Sequence, residues 1–169
     1  CEIIISDLSQ CKNLKFFILR YFNVAGADLK LRSGQVDEKS NHLIKACIDC
    51  VLHKRELIEI YGTDYDTKDG SCVRDFIHIS DLILGHLLAI EHLVNGGDSD
   101  ICNLGYGTGL SVLEIVEKVK LISKINFTTK VVGRRKGDAS RVVADNKKII
   151  SKYNWKPKFN NINNIILTS

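Results

Sequence analysis

The chain is organised around the stretch Tyr61-Gly-Thr-Asp-Tyr-Asp-Thr-Lys-Asp-Gly-Ser-Cys-Val-Arg-Asp-Phe-Ile-His-Ile-Ser-Asp-Leu82. The apolar run before it, Leu57 to Tyr61, predicts a strand that breaks at Gly62. A polar loop follows, and the apolar residues from Val73 to Ile79 predict a return to the core before a helix that Ser80 is expected to cap.

Arg74 and Asp75 therefore lie where an ordered loop re-enters the core, which is a usual position for functional side chains. An arginine held there can bind a phosphate, because its planar guanidinium donates two parallel hydrogen bonds. The alternative is an Arg74–Asp75 ion pair that only ties down the loop. The residues alone leave both interpretations open.

The composition is that of an ordinary soluble protein, since 44% of the 169 residues are hydrophobic and 26% are charged. This length suits one domain with a sizeable core. The net charge of +4 allows an anionic ligand, but no block of Lys and Arg suggests nucleic acid as a partner. No apolar segment approaches the ~20 residues needed to span a bilayer, and no signal peptide is recognised.

The six cysteines lack the spacing of a small disulfide scaffold, so we expect reduced thiols and a cytoplasmic location. The chain starts with Cys1 and contains no Met, which predicts that it is a piece of a longer protein.

The apolar patterns predict alternating helices and strands, and hence an α/β fold. The near-continuous apolar run from Phe16 to Asn23 is typical of a strand covered on both faces in a parallel sheet, for which this chain supplies few neighbours. We therefore expect an incomplete sheet. The first half of the chain predicts a helix in Cys1–Gln10, a loop over Val24–Asn41, a helix over Leu43–Lys54 capped by Asn41, and a helix from Asp81 to Val94. The second half predicts a strand at Ile101–Leu104, a helix after Ser111 with Glu114 in a capping box, a strand at Phe127–Val132, a helix that is capped by Asp145 and ends at Tyr153, and an amphipathic segment from Asn160.

Three motifs resemble sites that the surrounding residues do not support. Cys47 and Cys50 have C-x-x-C spacing but lie in mid-helix, which favours core packing over redox or metal chemistry. The glycines from Gly105 to Gly109 follow G-x-G-x-G rather than G-x-G-x-x-G, so a packing turn is expected instead of a dinucleotide loop. The acidic cluster from Asp64 to Asp69 is out of register for a calcium loop, and we predict no metal site.

The turn Gly133-Arg-Arg-Lys-Gly-Asp138 is basic with one acid. Such a turn can be a solvated surface, or its arginines and Asp138 can bind a phosphate and a ribose.

Taken together, these stretches resemble the UDP-glucose 4-epimerases, which are extended short-chain dehydrogenases/reductases. The matching motifs follow the order of that family: Leu19-Arg-Tyr-Phe-Asn-Val-Ala-Gly-Ala-Asp28, Tyr61-Gly-Thr-Asp-Tyr-Asp-Thr, Asp69-Gly-Ser-Cys-Val-Arg-Asp-Phe-Ile-His-Ile-Ser-Asp-Leu82, Asn103-Leu-Gly, Arg134-Arg-Lys-Gly-Asp138 and Trp155-Lys-Pro157. The resemblance favours the ligand-binding interpretation of Arg74.

The resemblance also implies a role for individual residues in binding a UDP-sugar. Asn23 corresponds to the asparagine at the sugar nucleotide, and Asn41 and Leu43 to the pair at the pyrophosphate. Tyr61 corresponds to the aromatic residue along the uracil.

Arg74 corresponds to the pyrophosphate arginine, and Arg135 with Asp138 to the pair at phosphate and ribose. Val142 corresponds to the position that limits the space at C2 of the sugar, and a small residue there makes UDP-N-acetylhexosamines conceivable substrates. Tyr21 and Phe22 correspond to a wall beside the cofactor, which in this family is NAD.

The chain lacks the family's Gly-rich NAD loop and its Tyr-x-x-x-Lys pair, so no catalytic residue is assigned and the chain alone is expected to be inactive. His78 and His86, the histidines considered as replacements for the base, lie in apolar patterns typical of structural residues. The resemblance implies that residues 1–23 are the tail of a Rossmann-type NAD-binding domain and residues 24–169 mainly a substrate-binding domain, with about 72–95 packing back on the Rossmann sheet.

The expected ligands are UDP-glucose and UDP-galactose, and the expected partner is a separate N-terminal half or a second copy of the chain. Two rival hypotheses remain at this point. One is another nucleotide-sugar enzyme of the family, such as a UDP-N-acetylglucosamine epimerase, and the other is a non-catalytic fragment that only binds the nucleotide sugar.

Overall fold

The computed structural model describes residues 1–30, 32–37 and 40–169. Helices and strands alternate along most of the chain, so the predicted α/β class is confirmed. The elements are α1 (Glu2–Lys12), β1 (Phe17–Tyr21), β2 (Asn23–Ala25), α2 (Leu43–Val51), β3 (Leu57–Tyr61), β4 (Val73–His78), α3 (Ile79–Val94), β5 (Asp100–Leu104), β6 (Gly109–Ser111), α4 (Val112–Ser123), β7 (Thr128–Val132), β8 (Arg141–Val142), α5 (Lys147–Tyr153) and α6 (Ile162–Thr168).

Within the residues that the structure describes, the strands form three small sheets, and most of the pairings are parallel. Strand β1 pairs with β5, and β3 pairs with β7, each in parallel. The third sheet is built on β4, which pairs in parallel with β2 and β8 and antiparallel with β6. Parallel pairing needs crossover connections, which the helices between these strands provide.

Two apolar clusters stabilise the fold, and β4 contributes to both. Phe76 packs into the cluster between α2, β3, α4 and α6, whereas Ile77 packs into the cluster between β1, β5, α3 and α5. Successive side chains of a strand point to opposite faces, so β4 joins the two clusters.

The structure corrects two details of the predicted strands. Val24 and Ala25, expected in a loop, form β2 together with Asn23, because β4 offers these residues a parallel partner. Strand β1, expected to be covered on both faces, is only partly buried, and its last two residues, Arg20 and Tyr21, are exposed.

The helix caps also differ from the prediction. His42, not Asn41, precedes α2, and its side chain makes no capping hydrogen bond. The cap of α3 is His78, whose ring accepts the hydrogen bond of the Ser80 amide. By contrast, the capping box of Ser111 and Glu114 at the start of α4 is confirmed.

Cys47 and Cys50 are both buried in α2, which confirms that they pack in the core. Burial raises the pKa of the Cys47 thiol to about 12, so this group is a poor nucleophile and metal ligand at neutral pH. In the described part of the chain, no helix combines the length and the apolarity that crossing a membrane requires.

Candidate functional site

A cavity of about 410 Å³ lies where β3 ends, between the start of α2 and the turn that joins β7 to β8. Most of the residues predicted to contact a ligand line it. These are Asn23, Asn41, Leu43, Tyr61, Arg74, Arg135 and Asp138. Residues from most of the length of the chain therefore share one cavity.

Secondary structure places these side chains at the cavity. Tyr61 is the last residue of β3, and the chain turns away at Gly62 with φ of +85°, a conformation that glycine adopts without strain. Arg74 is the second residue of β4, and its backbone pairs in register with Val142 of β8. Val142 itself does not line the cavity.

Arg74 is held against the turn after β7. Its Nη1 donates hydrogen bonds to the carbonyl oxygens of Val73, at 2.9 Å, and Ala139, at 2.8 Å. Its Nη2 lies 3.5 Å from a carboxylate oxygen of Asp138. The side chain is 18% exposed, so the guanidinium is ordered yet open to the cavity.

Asp75 points to the opposite face of β4, so the alternative of an Arg74–Asp75 ion pair is wrong. Its buried carboxylate accepts hydrogen bonds from the amides of Tyr106 at 3.1 Å, Gly107 at 2.9 Å and Ala144 at 3.2 Å. Burial raises the pKa of Asp75, while these three amides oppose the increase.

The same contacts decide the role of the glycine turn. A Cβ atom on Gly105 would lie 2.7 Å from both the Asp75 carboxylate and Ala144, and the amides that could hold a phosphate are bonded to Asp75. The prediction of a packing turn is confirmed.

Two consecutive arginines lie on two tyrosines beside the cavity. The guanidinium carbon of Arg135 is 3.6 Å from the centre of the Tyr61 ring, and that of Arg134 is 4.1 Å from the centre of the Tyr65 ring. Both distances are within the range of cation–π attraction. The Tyr61 hydroxyl donates a hydrogen bond of 2.7 Å to Glu59.

Asp64 pairs with Arg134, whose guanidinium holds the pKa of this carboxyl below its ordinary value. Asp69 accepts hydrogen bonds from Ser71 and Ser111. Asp64 and Asp69 are thus bonded to residues of other segments, Arg134 after β7 and Ser111 in β6.

Comparison with known proteins agrees with the family resemblance found in the sequence. The profile of the NAD dependent epimerase/dehydratase family matches residues 1–105. The chain belongs to this family.

Its relatives in this family include the UDP-glucose 4-epimerase of Rhizobium meliloti (strain 1021), which is 42% identical over 159 residues covering 94% of the chain and 48% of the relative. A crystal structure of a UDP-glucose 4-epimerase superposes with a TM-score of 0.93 at 41% identity, covering 99% of the chain and 51% of that protein. The UDP-Glc/GlcNAc 4-epimerase from Campylobacter jejuni has a TM-score of 0.80 at 40% identity, with 99% and 51% covered. The chain therefore spans about half the length of the relatives it matches.

The two residues predicted beside the family's cofactor lie apart from the cavity. Tyr21 is 50% exposed at the end of β1, with its ring 5.9 Å from that of His86. Phe22 follows it between β1 and β2. Their role beside a cofactor stays a prediction.

The two histidines considered as replacement bases are engaged in the fold. His78 is fully buried, with Nδ1 at 3.0 Å from the Ser80 amide and Nε2 at 3.0 Å from the Thr168 hydroxyl. His86 bonds through Nδ1 to the Leu82 carbonyl at 2.9 Å. Neither residue lines the cavity.

Sequence reasoning missed several residues that line the cavity, among them His42, Arg55, Glu59, Ser71 and Cys72. Glu59 could have been found from the two-residue period of β3, which places it on the same face as Tyr61. Arg55 precedes β3, and no local pattern marks it.

A larger cavity of about 1050 Å³ adjoins the first. It lies between α2 and the segment after β2, and it shares Asn23, His42, Leu43 and Arg55 with the smaller cavity. The cavity that contains the predicted ligand contacts therefore adjoins a second, larger cavity at Asn23.

Proposed function

We propose that the chain is the nucleotide-sugar-binding part of a UDP-glucose 4-epimerase, and that the complete enzyme interconverts UDP-glucose and UDP-galactose. The observation that carries the proposal is the cavity that gathers Arg74, Arg135, Asp138 and Tyr61. The names of the relatives supply the identity of the substrates.

The charges of the cavity suit a diphosphate. Arg74 and Arg135 both face it, and a guanidinium binds phosphate oxygens through paired, charge-assisted hydrogen bonds. Asp138, which accepts but does not donate when ionised, would bind the ribose hydroxyls. Tyr61 would lie along the uracil, and Asn23, next to the larger cavity, would contact the sugar.

Asn41 and Leu43 line the cavity at the start of α2, whose first residue is Leu43. The amides of a helix N-terminus are free of intrahelical partners and favour negative charge. This supports the proposal that Asn41 and Leu43 contact the pyrophosphate through side chain and backbone.

The family description names NAD, and we propose that the complete enzyme uses it. The glycine turn after β5 does not offer its Tyr106 and Gly107 amides to a cofactor phosphate, since both are bonded to Asp75. NAD would supply the reversible oxidation at C4 of the sugar. This chain's contribution would be to bind and orient the nucleotide, with Tyr21 and Phe22 as part of the wall beside the cofactor.

Titration calorimetry with UDP tests the binding role. We expect the 169-residue chain to bind UDP, and Arg74→Lys to weaken binding about tenfold, because lysine cannot replace the planar fork. Asp138→Asn should weaken it as well. Lys130→Gln, which removes an exposed charge from β7 outside the cavity, serves as the control. Failure of the unsubstituted chain to bind UDP would contradict the proposal.

We also propose that this chain alone does not catalyse the epimerisation. Its sequence contains no Tyr-x-x-x-Lys pair, and His78 and His86 are bonded within the fold. Incubation with UDP-galactose and added NAD should give no UDP-glucose. Measurable turnover would show that another residue acts as the base.

UDP-N-acetylhexosamines are a second candidate class. The likeness to a UDP-Glc/GlcNAc 4-epimerase favours it, although it does not support it more strongly than UDP-glucose. Val142, whose size the resemblance links to the substituent at C2, does not line the cavity. Assaying the complete enzyme with both sugars distinguishes the two. If activity needs a complementing N-terminal half or a homodimer, mixing experiments with the purified parts would reveal the partner.

We propose a cytoplasmic location, which the free state of all six cysteines supports.

A further inference from the structure

The turn between β7 and β8, residues 133–140, carries both Arg135 and Asp138, yet most of it is exposed. Its two ends are attached by backbone hydrogen bonds, from the Gly62 amide to the Val132 carbonyl at 3.0 Å and from the Val73 amide to the Ser140 carbonyl at 2.8 Å. Arg74 contacts the second half of the turn through the Ala139 carbonyl and the Asp138 carboxylate. The first half, which carries Arg135, needs a further contact if its side chains are to hold a fixed position.

Arg134 supplies that contact. Its Nε donates a hydrogen bond of 2.8 Å to the Asp64 carboxylate, and its Nη2 donates to the Asp64 backbone carbonyl. The guanidinium also lies on the Tyr65 ring, and Tyr65 is 7% exposed. The Arg134 guanidinium thus donates two hydrogen bonds to Asp64 and also stacks on the ring of Tyr65 in the same loop. A lysine could not make both kinds of contact.

Gly62 leaves room for the Arg134 side chain to pass over the loop. A Cβ atom there would lie 2.7 Å from Arg134 Cγ and 2.8 Å from Tyr65 Cε2, closer than non-bonded atoms approach. The absence of a side chain at Gly62 lets the stem of Arg134 cross the loop.

Arg134 does not line the cavity, whereas its neighbour Arg135 does. Because the two are consecutive, fixing Arg134 on Tyr65 fixes the backbone from which Arg135 reaches Tyr61. The amide of Asp138 bonds to the Arg135 carbonyl at 3.3 Å, so Asp138 is coupled to the same piece of backbone.

We propose that Arg134 is a positioning residue: it fastens the turn to the loop at Asp64 and Tyr65, so that Arg135 and Asp138 face the ligand before it binds. This inference rests on the proposed function of the cavity as a UDP site. If the turn is ordered before the ligand binds, less conformational entropy is lost on binding, and the affinity is higher.

The test is UDP affinity measured by titration calorimetry on the 169-residue chain. Arg134→Gln should raise Kd about tenfold, since it removes the fork, the charge and the stacking together. Arg134→Lys should fall between that variant and the unsubstituted chain. Lys136→Gln is the matched control, because it removes the same charge from an exposed position of the same turn. Its Kd should change less than about twofold.

A double-mutant cycle separates positioning from a general loss of structure. If Arg134 acts through Arg135 and Asp138, then Arg134→Gln should raise Kd by a smaller factor in a chain that already carries Arg135→Ala than in the unsubstituted chain. The thermal unfolding midpoint, measured in parallel, should vary much less among these variants than Kd.

Each outcome has a consequence. Equal Kd values for the unsubstituted chain and Arg134→Gln overturn the positioning role while leaving the UDP site intact. Additive effects of Arg134→Gln and Arg135→Ala, or equal weakening by Lys136→Gln, also overturn it. If the unsubstituted chain does not bind UDP, the proposed function fails, and this inference with it.

Discussion

At the scale of one residue, Asp75 and its neighbour Arg74 have different roles because their side chains lie on opposite faces of β4. The arginine faces the cavity, and the carboxylate, which is 0% exposed, binds three amides from two other segments. Those segments are the glycine turn and the chain after β8, so one side chain ties three parts of the fold together.

Replacing Asp75 with asparagine should therefore destabilise the protein. The new side chain would keep only one acceptor oxygen, and its NH2 group would face backbone N–H donors. We expect Asp75→Asn to lower the free energy of unfolding by about 1–3 kcal/mol, the cost of an unsatisfied buried polar group. Urea unfolding measures the change, and Asp66→Asn, at an exposed position of the loop before β4, is the control. Equal stability of both variants would contradict the structural role.

At the scale of an element, the start of α3 depends on a neutral histidine. Nδ1 of His78 accepts the Ser80 amide, which places the proton on Nε2 beside Thr168 of α6. The ring is stacked on Phe159, with centres 4.8 Å apart. Burial lowers the pKa of His78, and the nearby Asp81 carboxylate opposes this shift.

This predicts a dependence of stability on pH. The folded state disfavours the protonated ring, so the stabilisation is complete above the unfolded pKa of about 6.5 and is lost as the pH falls through the lower pKa of the folded state. Between about pH 7.5 and 5.5, His78→Asn should lose less free energy of unfolding than the unsubstituted chain, by about 1 kcal/mol, because asparagine can accept the cap hydrogen bond without titrating. Urea unfolding at the two pH values measures the difference.

The control is His53→Asn, which removes an exposed histidine from the loop between α2 and β3. It should leave the pH dependence unchanged. If His78→Asn and His53→Asn behave alike, His78 does not control the stability in this range.

At the scale of the whole molecule, an apolar stripe remains exposed on α3. It consists of Ile83, Leu87, Ile90 and Val94, which are 49–80% exposed and recur at helical spacing. Exposed apolar patches of this kind favour association. The chain should therefore elute from gel filtration as a species larger than a monomer, increasingly so at higher concentration.

Substituting Leu87→Lys together with Ile90→Glu should shift that equilibrium toward the monomer. UDP affinity should not change, because no residue of α3 lines either of the two cavities described above. Glu91→Gln, an exposed polar position on the same helix, is the control. A monomer for the unsubstituted chain would contradict the prediction that the exposed stripe drives association.

Much of the fold followed from local patterns. The apolar patterns predicted β3, β5 and most of the helices, whose buried residues lie on the face that the period marks. They also predicted β7, although its residues are exposed or half-buried. The pattern could not reveal β2, since a three-residue strand carries almost no periodicity and forms only because β4 lies beside it.

The caps show the same limit. Ser111 and Glu114 form their box from residues three apart, so the sequence is sufficient. His78 caps α3 because Thr168 of α6 and Phe159 hold its ring in place, which depends on residues far along the chain from it.

The sequence by itself determined which residue types could bind a phosphate, a ribose and an aromatic base, and it placed Arg74, Tyr61 and Asp138 in motifs that match the family. Only the tertiary structure decided that they share one cavity, that Asp75 faces away from it, and that Arg134 lies on Tyr65. The physical reason is range: propensity and periodicity act over a few neighbouring residues, whereas a binding site is made by contacts between segments far apart in the chain.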